Sequence, residues 1–282
     1  MKKPEDRSQK TEVRIKTFGF LLLASCLLLL TFYWNKRGED TSAISSGKSN
    51  EMPYKEMAEI PAGLFIMGSK DGEFDERPLH NVELDSFYMD RYEVTNLQYQ
   101  NFISANPHWQ KGKPKLDEAD GNYLKDWNGA EFLEGKENYP VVYISWYAAS
   151  AYCKWAEKSL PTEPQWEYAA RGSYEGMKYV WGNFFESHLI NNKGIMPVDS
   201  HSINGFGLNG MAGNVWEWTA DGYELYMEWV ERNPTPKLNN HLKVIRGGSW
   251  KSGMDDLRVS IRRTERPNAC RGDLGFRCIN KQ

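Results

Sequence analysis

The chain has 282 residues, of which 40% are hydrophobic and 26% are charged, and its formal net charge is -3. These values are ordinary for a folded globular protein, and the charge gives no support for nucleic acid as a partner. The aromatic content is high, with 11 Trp, 15 Tyr and 12 Phe beside 24 Gly. Large rings and many glycines together favour an irregular, loop-rich architecture.

The first predicted element is an apolar segment near the amino terminus. Residues 17–34 (TFGFLLLASCLLLLTFYW) carry no charge, and the preceding basic residues are Lys2, Lys3, Arg7, Lys10, Arg14 and Lys16. A helix of this length can span a bilayer, and the upstream positive charges predict that residues 1–16 stay in the cytoplasm. The sequence therefore predicts a single-pass anchor that leaves the rest of the chain on the periplasmic or extracellular side.

A bacterial lipoprotein signal is the alternative interpretation of this segment. Leu23-Ala24-Ser25-Cys26 resembles a lipobox, which would be cleaved before Cys26 and acylated at that cysteine. The apolar stretch continues to Trp34, whereas a lipoprotein normally becomes polar at once, so the uncleaved anchor is favoured. Both interpretations attach the protein to the membrane.

A flexible linker and one folded domain follow the anchor. Residues 35–53 mix Ser, Gly and alternating charges without apolar periodicity, which is typical of a linker. Residues 54–282 contain neither a second linker nor a repeat of fixed period. They are predicted to form a single domain.

Local signals predict three helices in this domain. Thr95-Asn-Leu-Gln98 and Thr162-Glu-Pro-Gln165 fit the capping-box pattern, and the second has Gly172 at its expected end. Between them, residues 145–159 place apolar side chains at helical spacing after a potential Ser145 cap.

Strand-forming residues occur in short runs separated by loops. The predicted strand regions are 60–69, 82–95, 243–250, 257–264 and 274–280. Residues 106–139, rich in Lys, Asp, Gly and Asn, predict a long surface excursion. The acidic side chains at positions 71, 73, 75 and 76 are expected to be solvated loop charges.

Several motifs in a fixed order resemble one known family. They are MGS (67–69), ERPLHNVELDSFYMDRYEVTNLQY (76–99), PVVYISWYAASAYCKWAE (140–157), LPTEPQWEYAARG (160–172), NGFGLNGMAGNVWEWTAD (204–221), RGGSW (246–250) and LGFR (274–277). On these motifs the chain resembles the sulfatase-modifying-factor family, which includes the formylglycine-generating enzymes. The resemblance implies a variant of the C-type-lectin-like fold, which is α+β, irregular and loop-rich, here preceded by one N-terminal membrane anchor helix.

The same resemblance implies a structural calcium site around the segment GNVWEW. Glu217 would supply a carboxylate, Gly213 and Val215 backbone carbonyls, and Asn214 and Glu93 further oxygens. Calcium prefers oxygen ligands, and a glutamate between two large rings needs a neutralising partner. The alternative is that Glu217 pairs with an arginine while the tryptophans are plain core. A second calcium site of some relatives needs a loop that is short here, at 191–199, and is not expected.

The four cysteines carry a further implication of the resemblance. Cys153 and Cys278 occupy positions that resemble a disulfide pair of the family, and an extracytoplasmic location would permit their oxidation. Cys26 belongs to the anchor, and Cys270 has no evident partner.

The departure from the family lies at its copper site. Formylglycine-generating enzymes oxidise a substrate cysteine with oxygen and hold Cu(I) with two cysteines that follow the Gly-Gly-Ser motif. Here the corresponding positions are Ser252 and Leu257. Because soft thiolates are the natural ligands of Cu(I), copper is not expected and no catalytic residues are assigned.

Arginines crowd the carboxyl-terminal third, which surrounds the substrate groove in the family. Arg258 and Arg262, at alternating positions of a predicted strand, are the candidates for contact with an anionic ligand, because guanidinium groups suit carboxylate, sulfate or phosphate. The alternative for most of these arginines is pairing with nearby acids such as Asp255, Asp256, Glu265 and Asp273.

Two functions follow as hypotheses. The first is a membrane-anchored, extracytoplasmic binding or assembly module of the bacterial envelope, similar to copper-less members in gliding-motility and secretion machinery, with a protein or an anionic ligand as partner. The second is an oxidoreductase of the same family, either formylglycine-generating with ligands relocated around Cys270 or dependent on another metal for sulfur oxidation. No HExxH, GxSxG, phosphate-loop or Rossmann pattern indicates other chemistry.

Overall fold

The computed structural model describes residues 57–174, 176–190, 192–237 and 241–281. The predictions for residues 1–53, namely the cytoplasmic segment, the anchor and the linker, lie outside the described residues. Within the described ranges, no helix is both long and apolar enough to cross a membrane.

The structure contains three α-helices and ten short strands within the described ranges. The helices are α1 (Asn96–Ala105), α2 (Trp146–Trp155) and α3 (Glu163–Arg171). The strands are β1 (Met57–Ile60), β2 (Gly63–Met67), β3 (His80–Leu84), β4 (Phe87–Asp90), β5 (Trp216–Gly222), β6 (Glu231–Arg232), β7 (Lys243–Arg246), β8 (Arg263–Glu265), β9 (Leu274–Gly275) and β10 (Ile279–Lys281). The predicted α+β, loop-rich fold is confirmed.

The strands form three small sheets. Their orders are β1-β4-β10, β2-β3-β6 and β8-β7-β5-β9. The last sheet is antiparallel between β5 and β7 and parallel between β5 and β9. It brings Glu217 of β5 beside Arg246 of β7 and Gly275 of β9, so segments distant in sequence meet around one glutamate.

The predicted helix starts are confirmed, because their signals are local. Thr95 and Thr162 each accept the N–H of the residue three positions on, and Gln98 and Gln165 return the interaction. Ser145 caps α2 by accepting the N–H of Ala148. Each of these caps satisfies backbone donors that have no partner inside the helix.

The strand predicted at 257–264 is wrong. Met254–Leu257 form a 3-10 turn, and only Arg263–Glu265 are strand. The buried Arg246 guanidinium donates to the carbonyls at positions 259, 260 and 261, so a side chain engages carbonyls that a sheet would need. Arg258 and Arg262 consequently do not lie on a strand.

The predicted surface excursion at 106–139 is only partly a surface feature. Its side chains at Ala119, Tyr123, Leu124 and Trp127 are buried in the larger of two hydrophobic clusters, with α1 and α2. Tyr123 and Tyr99 share a hydrogen bond of 2.7 Å between their hydroxyl groups. Large rings therefore attach this segment to the core without regular secondary structure.

Candidate functional site

The two positions that correspond to the copper cysteines both lie beside Gly248 in the folded chain. A Cβ atom built on Gly248 would lie 2.9 Å from Leu257 Cδ2 and 3.2 Å from Ser252 Oγ. Ser252 is fixed by a reciprocal pair of hydrogen bonds, since its N–H donates to Ser249 O (2.9 Å) and its Oγ accepts from Ser249 N–H (3.0 Å). Leu257 is 2% exposed. Both side chains therefore lie beside Gly248, but their groups are a hydroxyl and a methyl, which do not bind Cu(I).

A cleft of about 390 Å³ lies beside this pair. Trp250 and Lys251, which directly precede Ser252, contribute to its lining. The other large aromatic side chains of its wall are Trp127, Phe132, Tyr139 and Tyr143. We call this site the aromatic cleft. It combines stacking surfaces with the ammonium groups of Lys136 and Lys251, a combination suited to a polar or anionic ligand with an apolar part.

Trp250, which lines the aromatic cleft, has one unsatisfied polar atom within the described ranges. Its Nε1 is buried and has no hydrogen-bond partner among the described residues. Because a buried donor without an acceptor costs free energy, this N–H is an unsatisfied polar group of a residue that lines the cleft.

The disulfide implied by the family resemblance is present. Cys153 of α2 and Cys278, which precedes β10, are bonded, with their Cα atoms 5.9 Å apart although the two residues are 125 positions apart in sequence. Closing a loop of this length removes much entropy from the unfolded chain. The bond therefore fastens the carboxyl-terminal strand to the helical side of the core.

Cys270 remains a buried free thiol. Burial raises its pKa, and the charge of Asp120 adds to that increase. Since a thiolate and not a thiol is the metal ligand and nucleophile, this environment disfavours both roles.

Glu217 pairs with an arginine, in agreement with the alternative interpretation. The Arg277 guanidinium donates from Nε and Nη2 to both carboxylate oxygens, at 2.7 to 3.0 Å. Trp166 Nε1 donates to Glu217 Oε2 at 2.8 Å. The acidic side chain between Trp216 and Trp218 is thus neutralised by a buried guanidinium.

Of the two carboxylates expected to bind calcium, Glu93 is the one that retains an unpartnered oxygen among the described residues. Its Oε1 accepts from Asn214 Nδ2 at 2.9 Å, while Oε2 is buried without a partner among the described residues. Burial raises the pKa of Glu93 to about 7, opposed by Arg277 and assisted by Glu217. An unpartnered buried carboxylate oxygen fits a cation ligand.

The fit to calcium is therefore partial. The Asn214 side chain is occupied, donating to Glu93 and accepting from Met196 N–H at 3.0 Å. Within the described ranges, no group of three or more His, Cys, Asp or Glu side chains is placed to hold a metal. A cation here would depend on Glu93 and on backbone oxygens, such as those of Gly213 and Val215.

The comparisons with known proteins decide the family. Residues 43–282 match the sulfatase-modifying factor enzyme 1-like domain. The formylglycine-generating enzyme of Mus musculus is 31% identical over 295 residues, covering 86% of this chain and 79% of that protein. The chain belongs to the sulfatase-modifying-factor family.

Other family relatives differ in length and in name. The serine/threonine-protein kinase pkn1 of Chlamydia caviae is 36% identical over 233 residues, covering 80% of this chain but only 38% of that protein. The chain thus spans less than half the length of that relative. In Bos taurus, the inactive C-alpha-formylglycine-generating enzyme 2 is 29% identical and covers 79% of this chain and 87% of that protein.

Solved structures show the same fold. PvdO from Pseudomonas aeruginosa has a TM-score of 0.61 and 25% identity, covering 80% of this chain and 94% of that one. Treponema denticola variable protein 1 has a TM-score of 0.63 and 21% identity, covering 80% and 95%.

The two arginines expected to contact an anionic ligand are engaged inside this family domain. Arg262 donates from Nε and Nη2 to the two oxygens of Glu163, at 2.6 and 2.7 Å, and is 2% exposed. Its guanidinium carbon lies 4.0 Å from the Tyr226 ring centroid. Arg262 is therefore a buried structural cation, and it does not line the aromatic cleft.

Arg258 is also paired with a carboxylate, although one nitrogen of its guanidinium group has no partner among the described residues. Its Nη1 donates to Glu76 Oε2 at 2.5 Å and its Nε to the Asp255 carbonyl at 3.1 Å. Glu76 is fully buried, so the expectation of a solvated loop charge at this position is wrong. The structure gives Arg258 Nη2 no partner among the described residues, and Arg258 lines a second cavity, separate from the aromatic cleft.

Sequence reasoning misses the acidic partners of these arginines. Glu76 lies 182 positions from Arg258, Glu163 lies 99 positions from Arg262, and Glu167 lies 79 positions from the buried Arg246. Of these three glutamates, only Glu163 lies in a motif that the sequence reveals, the capping box of α3. That motif gives no indication of the distant arginine that Glu163 binds.

Proposed function

We propose that this family member acts by binding and does not oxidise cysteine. The observation that supports this proposal is that Ser252 and Leu257, which both lie beside Gly248, occupy the positions where the family's enzymes have two thiolates. Without a soft ligand pair, this position cannot hold the Cu(I) that activates oxygen in these enzymes. One relative is named as inactive, which supports a role of this kind for the domain.

We infer that the partner occupies the aromatic cleft. Lys136 Nζ lies 3.7 Å from the Tyr139 ring centroid and Lys251 Nζ lies 5.1 Å from that of Trp250. Side chains arranged in this way favour a protein segment or an anionic ligand that presents acceptors to cations and an apolar surface to the rings.

The proposed setting is the bacterial cell envelope. The apolar segment at 17–34 with its upstream basic residues supports a single-pass anchor, with acylation at Cys26 as the alternative. The Cys153–Cys278 bond supports an oxidising compartment. In this setting the domain would be an assembly module of gliding or secretion type.

A structural calcium ion is part of the proposal. Glu93, with its unpartnered Oε2, would be the carboxylate ligand, and the loop at 213–215 would supply further oxygens. Glu217 is not needed as a ligand, because Arg277 already neutralises it.

The second candidate function is cysteine oxidation, which the similarity to formylglycine-generating enzymes favours. It would require metal ligands at new positions, and Cys270 is the free thiol of the described residues. The raised pKa of that thiol and its burial count against this role.

A peptide assay tests the proposal. The full chain, purified in detergent and loaded anaerobically with Cu(I), is incubated with oxygen and a peptide carrying the sulfatase motif Cys-x-Pro-x-Arg. Mass spectrometry should show no conversion of the substrate cysteine to formylglycine, because no thiolate pair holds the copper. Turnover that disappears in Cys270→Ala would instead establish the second candidate function.

A further inference from the structure

A cavity of about 780 Å³ runs along one edge of strand β2. Its lining includes Leu64 and Ile66 from the exposed face of β2 and Phe65 from the buried face. The opposite wall is formed by α3 and the segment after it, including Tyr168 and Met177. Because side chains from both faces contribute, the cavity follows the edge of the strand. We call it the β2 groove.

The backbone of β2 faces this groove with unpaired groups. β2 is the edge strand of its sheet and pairs only with β3 within the described ranges. Gly68, the next residue, gives its N–H to Glu167 Oε1 (2.9 Å) and accepts from Arg171 Nη2 (2.8 Å) through its carbonyl. The edge is thus covered by α3 at Gly68.

The direction of the remaining groups follows from peptide geometry. In the trans peptide between Met67 and Gly68, the carbonyl points opposite to the N–H, so the backbone groups of Met67 face β3. Backbone groups alternate in direction along a strand, so those of Leu64 and Ile66 point away from β3. The described residues supply no backbone partner for either residue on that side.

The side chains of the groove are apolar and cationic. Leu64 is 57% exposed and Ile66 is 51% exposed, and Leu79 continues this apolar surface at the rim. The basic residues of the lining are Lys70, Arg171, Lys178 and Arg258, whereas Asp71 is its one acidic residue among those described. Such a surface complements acidic side chains interspersed with apolar ones.

We propose that the β2 groove binds an extended, acidic and apolar segment of a partner protein, which adds to β2 as a further strand. Main-chain hydrogen bonds to Leu64 and Ile66 hold the segment in register, and its apolar side chains cover the exposed face of β2. Acidic side chains of the segment reach Lys70, Lys178 and the unpartnered Nη2 of Arg258. This site is separate from the aromatic cleft and does not depend on whether the chain oxidises cysteine.

Fluorescence anisotropy with defined peptides tests this proposal on the full chain in detergent micelles. The probe is a labelled, amidated peptide of alternating glutamate and valine. Two comparison peptides replace every glutamate by lysine or carry N-methyl groups along the backbone. Saturable binding of the glutamate peptide is expected. Each comparison peptide should bind with a dissociation constant about tenfold higher or more. Equal binding of the lysine or N-methyl peptide, or no binding of the glutamate peptide, would overturn the proposal.

Protein variants locate the site. Ile66→Asp and Lys178→Glu should each raise the dissociation constant of the glutamate peptide about tenfold. The new acidic side chain repels the peptide at the strand face in the first variant and at the rim in the second. Leu116→Asp is the matched control, because Leu116 is 75% exposed outside the groove, and it should bind like the wild type. Near-ultraviolet circular dichroism checks that each variant is folded. Unchanged binding in both groove variants would contradict the proposal, as would self-association through β2 that excludes the peptide.

Discussion

At the level of single residues, buried charged side chains organise this domain. Glu167 is fully buried and binds Arg171, Arg246 and the N–H of Gly68. Burial by itself would raise the pKa of Glu167, but its two arginine neighbours and the Gly68 N–H bring that pKa below its ordinary value. Arg246 in turn donates to the carbonyls at positions 259, 260 and 261, so one carboxylate supports the segment that leads from Leu257 to β8.

Removing this carboxylate should destabilise the fold strongly. Glu167→Ala removes the closest carboxylate from two buried guanidinium groups, of which Arg246 keeps Glu163 at 3.7 Å, and this should lower the free energy of unfolding by about 3 to 5 kcal/mol. Urea denaturation measures the change. The control is Glu134→Ala, at an exposed position, which should stay within about 0.5 kcal/mol of the wild type. Similar values for the two variants would contradict the structural role of Glu167.

Asp221 predicts a pH dependence of stability. Burial raises its pKa to about 6, the charge of Glu163 adds to this, and two backbone N–H groups oppose it. The folded state thus holds the proton more tightly than the unfolded state. The contribution of this carboxyl to stability is therefore fully present below the unfolded pKa, and it is lost as pH rises from about 4 through about 6.

The measurement compares the wild type with Asp221→Asn, whose amide does not titrate. Relative to the variant, the wild type should lose up to about 3 kcal/mol of unfolding free energy between pH 4 and pH 7, because only the wild type releases this proton. Urea denaturation at several pH values gives both curves. A difference that is constant across this range would show that the pKa of Asp221 is ordinary in the folded chain.

At the level of elements, the sequence predicts correctly those structural features that depend on residues close together in the chain. The caps at Thr95, Ser145 and Thr162 are predicted correctly, because the interacting groups are three positions apart. The strand expected at 257–264 fails, because Arg246 binds its carbonyls from another strand. The partner of Arg258 is missed for the same reason, since an ion pair across nearly two hundred residues leaves no local pattern.

The disulfide connects two elements and should contribute measurably to stability. Cys153→Ser should lower the free energy of unfolding by about 2 to 5 kcal/mol, since the unfolded chain regains the freedom of the long loop. The double variant Cys153→Ser/Cys278→Ser should lose little more than the single variant, because the bond is already absent. Urea denaturation under non-reducing conditions gives these values. Equal stability of wild type and both variants would contradict the bond's role.

At the level of the whole molecule, the proposed single anchor attaches the domain outside the cytoplasmic membrane. Cys26→Ser separates the two forms of attachment. If residues 17–34 are an uncleaved anchor, the variant should keep its full mass and remain in the membrane fraction, with the domain open to externally added protease in spheroplasts. If Cys26 is acylated instead, the wild type should lack residues 1–25 and carry a lipid while the variant stays unprocessed, so a mass difference between the two beyond that of the substitution would indicate acylation.

The folded chain places both positions of the family's copper pair beside Gly248, while both ligands are replaced. Ser252 and Leu257 both lie beside Gly248, and we predict that thiols introduced at both positions bind Cu(I). Ser252→Cys/Leu257→Cys is therefore the positive control for the wild type, and each single variant should bind copper much more weakly than the double variant.

The direct test is an anaerobic Cu(I) titration of the full-length wild type against this double variant, followed by X-ray absorption at the copper edge. We predict sulfur-coordinated copper at one equivalent in the double variant and none in the wild type. One equivalent of tightly held copper in the wild type would contradict a function by binding alone.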